Sequence, residues 1–449
     1  MIERREFLQQ TMGMGLGALV FGAVGGCGSQ VGGRSASVSF APKCRPKDLI
    51  KIGFVGIGNM GSGHVRNLLG IEGAQVTAVC DIRPERTDWA VKTIIESGFE
   101  KPAVYGRDEQ DFVRMCETED LDLVYNAAPW RYHTPICLAA MRNGKHAASE
   151  VNIAQTLEEC WALVEMAEKT QRHCVMMENC CYDRTEMMIM NMIKAGLFGE
   201  IVHGEAGYLH DLRKLKFSPT TYQGMWRIQH SLTRNGNLYP THGIGPMAWC
   251  MDIHHGDAFD TLVAVSTKSL GLPAYALEHH PEWADREFAL GDVCICLIKT
   301  KLGKTLICKH DTNLPRPYSR DFLVQGVKGI ARKYPDQRIH IEGRTKGHGW
   351  DKLQDYRDEF EHPVWKRLQE KAQGAGHGGM DYIEDYRLIQ ALRQGLAPDI
   401  CVYDSVAWSA VTPLSEKSIA HGGQPVSFPD FTRGAWKLPR VLGVFESIL

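Results

Sequence analysis

Leu49-Ile50-Lys51-Ile52-Gly53-Phe54-Val55 runs directly into Gly56-Ile57-Gly58-Asn59-Met60-Gly61, and a helical stretch follows through Leu69. The order is strand, glycine turn, helix. Glycines at the first, third and sixth positions of such a turn permit a sharp reversal, close approach of the backbone to a pyrophosphate and tight packing of helix on strand. The helix N-terminus then faces the phosphates. A second apolar run, Gln75-Val76-Thr77-Ala78-Val79-Cys80, ends at Asp81, 20 residues beyond Gly61. A carboxylate there accepts hydrogen bonds from the adenosine ribose hydroxyls and repels a 2′-phosphate, so NAD is expected in preference to NADP. Arg83 reads as a solvated neighbour. Gly56, Gly58, Gly61 and Asp81 are the first candidate cofactor residues.

The alternation continues outward, with strands at Leu123 to Ala127, Lys145 to Ser149 and Cys174 to Met177, and helices after Thr134 and from Thr156 to Lys169. Strands interleaved with helices imply a parallel, doubly wound sheet whose ligands bind beyond the carboxyl ends of the strands. The loops that matter are therefore Pro129-Trp130-Arg131-Tyr132-His133, Glu150-Val151 and Glu178-Asn179. After about residue 185 the pattern changes to longer strands, Ile201 to His210, Leu262 to Lys268, Val293 to Thr300 and Thr305 to His310, which imply a mostly antiparallel sheet. A charged helix over Lys352 to Lys371, broken at His362 by Pro363, reads as an exposed insertion. Trp408 to Trp436 reads as an irregular, proline-rich wrap. The expected class is α/β: an N-terminal Rossmann domain (49–183) plus a C-terminal α+β domain (184–449) with a largely antiparallel open sheet.

Composition supports two folded domains. The chain has 449 residues, 44% of them hydrophobic, with 45 Gly and 20 Pro, which excludes a collagen, a disordered tail and a multi-span membrane protein. Lys plus Arg number 51 and Asp plus Glu 53, a net charge of −2, so no global field draws nucleic acid or an anionic membrane. A small neutral ligand is expected. The 14 cysteines contain no Cys-x-x-Cys pair, so buried thiols are expected rather than a zinc site. His254-His255 and His279-His280 are adjacent pairs that suggest a metal set, but neighbours on a strand point oppositely, and no metal is assigned.

The N-terminus differs from the rest. Arg4-Arg5-Glu6-Phe7-Leu8 precedes a glycine-rich uncharged run to Gly26, the order of a twin-arginine export signal (1–27). Val24-Gly25-Gly26-Cys27 has the form of a lipoprotein cleavage box, which would make Cys27 a lipid anchor. Residues 28–48 read as a linker. The expectation is an exported protein, periplasmic or membrane-anchored, that folds with its cofactor before crossing.

Two polar constellations stand in the second half. In Asn235-Gly236-Asn237-Leu238-Tyr239-Pro240-Thr241-His242-Gly243, a phenol and an imidazole three residues apart meet if the segment is helical, and can then pass a proton. Alone, such a pair more often describes two packed core residues. A tyrosine base also needs a cationic neighbour, since its pKa is normally about 10. In Gly374-Ala375-Gly376-His377-Gly378-Gly379-Met380-Asp381, four glycines let one histidine reach into a cleft, or else mark a turn with an exposed ring. The following helix favours the neutral imidazole.

Taken together, Trp130-Arg131-Tyr132-His133, Glu150-Val151, Glu178-Asn179, Trp226-Arg227, Tyr239-Pro240-Thr241-His242, His377-Gly378-Gly379-Met380-Asp381 and the stretch from Pro425 to Trp436 resemble glycoside hydrolase family 109. These are NAD-dependent α-N-acetylgalactosaminidases within the glucose-fructose oxidoreductase and inositol dehydrogenase superfamily. The resemblance implies that Met60, Gly61, Asp81, Trp130, Arg131, Tyr132, His133, Glu150, Val151, Asn179 and Tyr239 contact NAD. It implies that Tyr208, Arg227, Tyr239, Pro240, Thr241, His242 and Tyr318 surround an α-N-acetylgalactosaminide. The wider superfamily places a lysine in a Glu-Lys-Pro motif, whereas this chain reads Glu150-Val151-Asn152, which weakens a plain dehydrogenase reading. Asn152, where the family suggests proline, is expected to affect the turn more than the chemistry.

The implied chemistry oxidises sugar C3, eliminates the aglycone across C2 and C1, adds water and reduces C3 again with retention, outside the paired-carboxylate scheme. Tyr239 is the expected base with His242 polarising it, and His377 the expected acid or water-activating group. A net sugar or cyclitol dehydrogenase and a non-catalytic sugar-binding protein are the competing readings. The superfamily's open sheet suggests a homodimer.

Overall fold

The computed structural model describes residues 40, 42, 44–438 and 440–445. Arg4, Arg5 and Cys27 lie outside the described residues. Fifteen strands form two sheets. Strands β1 (Ile50–Val55), β2 (Ala74–Cys80), β3 (Ala103–Tyr105), β4 (Leu123–Asn126), β5 (His146–Glu150) and β6 (Cys174–Met177) pair in parallel in the order β3-β2-β1-β4-β5-β6. This is the doubly wound order in which the connection reverses beside the first strand, leaving a crevice beyond the carboxyl ends of β1 and β4. Strand β3, three residues long, carries too little periodicity to be read from sequence.

The second sheet joins β7 (Ile201–Leu209), β8 (Phe259–Ser266), β9 (Val293–Thr300), β10 (Thr305–Asp311), β11 (Leu323–Gly326), β12 (Gly329–Arg332), β13 (Arg338–Ile341), β14 (Asp351–Lys352) and β15 (Val426–Ser427). Its order is β14-β13-β12-β11-β7-β10-β9-β8-β15, antiparallel except where β10 runs parallel to β7. Alternation is clean in β9, where Cys294, Cys296 and Ile298 are buried and Ile295 and Leu297 are exposed.

Two helices carry the site onto these sheets. Helix Thr241–Cys250 lies against β7 at very short range: a Cβ at Gly243 would stand 2.5 Å from the Gly207 nitrogen. Helix Met380–Gln394, from the C-terminal half, packs on the first Rossmann helix, Asn59–Leu69. Packing between the halves is therefore made by the same helices that deliver side chains to the crevice.

Three sequence expectations change. Trp408 to Trp436 is not irregular: helices Val402–Ser409 and Val411–Ala420 are largely buried, and only the part beyond them wraps. Pro413 sits in a first helical turn, where no N–H is needed. The segment Lys352 to Lys371 does break at His362, which caps helix Pro363–Ala372, but that helix is not an exposed insertion. Val364, Trp365 and Leu368 are buried, and the Trp365 indole donates to the Tyr182 carbonyl at 2.9 Å. Finally, the segment read as a linker is anchored through Phe40, whose ring meets Tyr403 at 5.0 Å, edge on, while residues 45–48 are exposed. Among the described residues every cysteine is a free thiol, and all but Cys44 are buried. No described helix is long and apolar enough to cross a membrane.

The glycine turn is the tightest contact in the first domain. A Cβ at Gly61 would lie 2.0 Å from the Gly56 carbonyl oxygen. Gly61→Ala must push the helix off the turn, an overpacking cost of about 1–3 kcal/mol. Urea unfolding should register that loss, and Ser62→Ala, one residue along, should leave the midpoint in place.

Candidate active site

The crevice beyond β1 and β4 is a cleft of about 590 Å³, and Gly56, Gly58, Met60, Asp81, Arg131 and Tyr132 are among its lining residues. Gly56 has φ +83, and a Cβ there would stand 2.5 Å from the Ala128 nitrogen, so bare backbone forms the floor. Helix Asn59–Leu69 opens into the cleft with no side-chain cap on its first turn. Its orphan N–H groups and positive helix end suit a pyrophosphate. Asp81 accepts from the Ile57 N–H at 2.7 Å and from the Arg83 guanidinium at 3.1 and 3.2 Å. Arg83 is thus not a solvated bystander, because its fork closes on the ribose carboxylate. The residues present fit a dinucleotide.

Other expected cofactor residues divide by depth. Arg131 pairs with Glu109 at the rim at 3.0 Å, whereas His133 is buried between the carbonyls of Asn152 and Ala128, each at 2.7 Å. His133 holds one loop to the next. Val151 is fully packed in the core, and Glu150 remains partly open at the end of β5. Asn152 does more than shape its turn. Its buried amide donates to the Leu238 carbonyl at 3.1 Å, and its oxygen accepts from Thr241 at 3.4 Å, tying the end of β5 to the Tyr239 loop.

Around Tyr239 an aromatic box forms. Tyr239 precedes helix Thr241–Cys250, with Pro240 as its cap, and stacks on Trp130 at 5.6 Å. Tyr208 lies 4.7 Å from Tyr239 and 5.4 Å from His242 by ring centroids. Arg227 is buried, with its guanidinium 4.5 Å from the Tyr239 ring and 4.9 Å from Trp130. Among the described residues no carboxylate pairs with it. A buried cation in an aromatic box, lacking an acidic partner, is a strong donor to any polar ligand that enters. Tyr318 stands at the edge, its hydroxyl accepting from Arg320 at 3.1 Å.

Tyr239 and His242 meet, but not as a proton-sharing pair. Their rings are edge to face at 4.8 Å and 90°, with no hydrogen bond between them. His242 Nδ1 instead bonds Glu178 Oε1 at 2.6 Å, so a neutral ring donates from Nδ1 and keeps its lone pair on Nε2. Burial alone would raise the Glu178 carboxyl, but His242 beside it holds it below the usual glutamate range. Burial also pushes the Tyr239 phenol well above its ordinary value, with Arg227 pulling only part of the way back.

His377 is exposed, in the left-handed region at φ 50, and its Nδ1 bonds Asp381 at 2.8 Å. The Asp381 bond raises its pKa against the effect of burial. The helix end was expected to favour neutral imidazole; the carboxylate one helical turn along reverses that. Asn179 donates to Asp381 at 2.7 Å and so steadies this second pair. Glu178, Cys180 and His242 bring three metal-competent atoms within 4.8 Å of one another. Burial keeps the Cys180 thiol protonated, and Glu178 already engages His242, so the group acts as a histidine–carboxylate pair. His254 and His255 bind Asp404 and Arg440, and His280 stacks on Phe217.

Residues missed in the sequence are those that act through others: Glu178 as the partner of His242, Asp381 of His377, Arg320 behind Tyr318, and His210, whose Nδ1 is 3.1 Å from the Tyr208 hydroxyl. Glu178 and Asp381 stood inside quoted motifs, and only contact assigns their roles.

Residues 50–178 match the model of an oxidoreductase family with an NAD-binding Rossmann fold, and residues 182–438 match the glycosyl hydrolase 109 C-terminal domain. A glycosyl hydrolase family 109 protein of Shewanella amazonensis is 42% identical, over 99% of each chain. An alpha-N-acetylgalactosaminidase of Tannerella forsythia is 40% identical, over 96% of this chain and 97% of its own. Among solved structures, levoglucosan dehydrogenase in complex with NADH and levoglucosan aligns with TM-score 0.66 at 19% identity, covering 85% of this chain and all of that one. Scyllo-inositol dehydrogenase from Lactobacillus casei with NAD(H) and scyllo-inositol aligns with TM-score 0.61 at 16% identity, covering 84% and 99%. At those identities the likeness is one of fold. An NAD-binding Rossmann domain followed by the hydrolase family's own C-terminal domain, with relatives matched from end to end, makes this chain a member of glycosyl hydrolase family 109.

Proposed function

We propose that the protein hydrolyses terminal α-N-acetylgalactosaminides, with retention, by an oxidation–elimination–addition–reduction cycle around tightly held NAD. One observation carries this reading: two consecutive residues after β6, Glu178 and Asn179, steady two imidazoles from different helices, His242 directly and His377 through Asp381. Hydride transfer calls for one proton-exchanging group, whereas an elimination followed by addition of water needs both a base and an acid. NAD, held along Gly56, Gly58, Met60 and Asp81, supplies a hydride acceptor for C3 that later returns what it took.

His242 Nε2 removes the C2 proton, made acidic by the neighbouring carbonyl, while Glu178 stabilises the imidazolium that forms. His377, held protonated by Asp381, gives its proton to the departing aglycone oxygen. As the base it then becomes, it activates the water that adds to C1. Arg227 and the Tyr208–Tyr239 wall orient the sugar. Val151, where dehydrogenase relatives have lysine, cannot move a proton. The Arg4-Arg5 signal and Cys27 support export by the twin-arginine route with lipid anchoring, and exposed Val265, Ile295 and Leu297 support a homodimer. Cell fractionation and analytical ultracentrifugation check these two points.

An α-N-acetylgalactosaminide in deuterated water tests the cycle. The expected outcome is aglycone release without added NAD and deuterium at C2 of the product; stoichiometric NADH with a keto sugar would instead establish a dehydrogenase. A second test uses pH. Because Asp381 raises the His377 pKa and the acid must be protonated, Asp381→Asn should move the alkaline limb of kcat to lower pH. Glu178→Gln should cut kcat about 10²-fold with the NAD content unchanged.

A further inference from the structure

Oxidation at C3 releases a hydroxyl proton as well as a hydride, and neither histidine pair above is assigned to it. Behind the cofactor cleft lies a third histidine–carboxylate arrangement. His64, on the first Rossmann helix, is buried, with Nε2 at 2.7 Å from Glu150 Oε1 and Nδ1 at 2.9 Å from Asp385 Oδ2. Asp385 also accepts from the Tyr125 hydroxyl at 2.9 Å and from the Asn67 amide at 2.9 Å, so its position is fully determined. Glu150 itself is partly open at the end of β5, and among the described residues none donates a hydrogen bond to its other oxygen, Oε2, while Oε1 holds His64. Glu150 stands two residues before Asn152, whose side chain is tied to Leu238 and Thr241 on either side of Tyr239 and Pro240, so the end of β5 adjoins the Tyr239 loop.

We propose that His64, clamped by Asp385, is a positioning residue for the redox step: it fixes Glu150 so that Oε2 accepts the C3 hydroxyl proton as the hydride leaves. The assignment rests on the redox reading above. The balance is simple. The O–H bond breaks and its proton passes to Glu150, the C3–H bond breaks with its electron pair going to the nicotinamide dinucleotide, and C3=O forms; reduction reverses each transfer. Glu150 thus takes the part that lysine plays in the relatives, from the position just before it.

The charged and titratable groups facing His64 are Glu150 from β5, Tyr125 from β4, and Asp381, Glu384 and Asp385 from helix Met380–Gln394, with His377 at that helix's start. Burial works against charge on the His64 ring, and the two carboxylates bonded to it outweigh that effect. Burial pushes the Glu384 carboxyl well up, and neither of its oxygens has a hydrogen-bond partner, so it is the neutral member. The ring therefore works as a fixed double donor.

Two measurements test this. In nitrogen-15 spectra of the dinucleotide-free wild-type protein, His64 should remain doubly protonated above the ordinary histidine range; a neutral ring at pH 7 would overturn the proposal. In the holoenzyme, Asp385→Asn should lower kcat about 10²-fold at unchanged KM and NAD content, with a larger isotope effect on C3-deuterated substrate. Unchanged kcat and isotope effect would overturn it, as would loss of NAD with normal kcat per bound dinucleotide. A wild-type enzyme that shows no C3 isotope effect in any variant, yet cleaves the glycoside, would refute the redox cycle itself.

Discussion

The hydrogen bond between Glu178 and His242 ties the two sheets to one chemistry. Glu178 ends a parallel strand of the first sheet, and His242 opens a helix laid on the central strand of the second. At 2.6 Å, with the carboxylate entirely buried, the bond tolerates little displacement of one sheet against the other. Gly243 makes the geometry possible, because the helix must touch the β7 backbone for its first turn to reach β6. Asn152 reinforces the joint from β5.

The same arrangement recurs with different parts. His377 leans on Asp381, and His64 on Asp385, both carboxylates belonging to the helix Met380–Gln394. One element of the C-terminal half thereby sets two imidazoles, one at the mouth of the site and one behind the cofactor cleft. Each carboxylate takes the Nδ1 side, which leaves Nε2 directed elsewhere: in His64 to Glu150, in the other two without a hydrogen-bond partner among the described residues. A buried imidazole without such a partner loses its charge to desolvation, as burial does to His310.

Arg227 meets the opposite condition, a buried guanidinium with phenols and an indole around it and no acid. Such a group costs desolvation energy unless a ligand supplies acceptors, so its neighbourhood selects oxygen-rich guests over water-excluding ones. The nearby Arg320 is neutralised by Asp183 and Glu186 and serves instead to fix the Tyr318 hydroxyl. Two arginines close to one pocket thus differ in function because of what lies behind them.

The glycine turn, the Asp81 strand end and the switch from alternating to antiparallel elements were legible in the linear order, because strand periodicity, turn chemistry and phosphate cradles are local properties. Tyr208 and Arg227 of the aromatic box came only through the family resemblance, since no local pattern singles them out. Short strands such as β3 and the paired β11–β14 were not legible, since three or four residues carry no periodic signal. The helices around Trp408 were obscured by a proline that is harmless in a first turn. His64 interrupts the buried stripe Gly61, Val65 and Leu68, a visible oddity whose meaning depends on Asp385, 321 positions away. What the chain order determined by itself was the dinucleotide fold and the cast of side chains. Which imidazole meets which carboxylate was decided only in three dimensions, because packing brings together residues far apart in the chain.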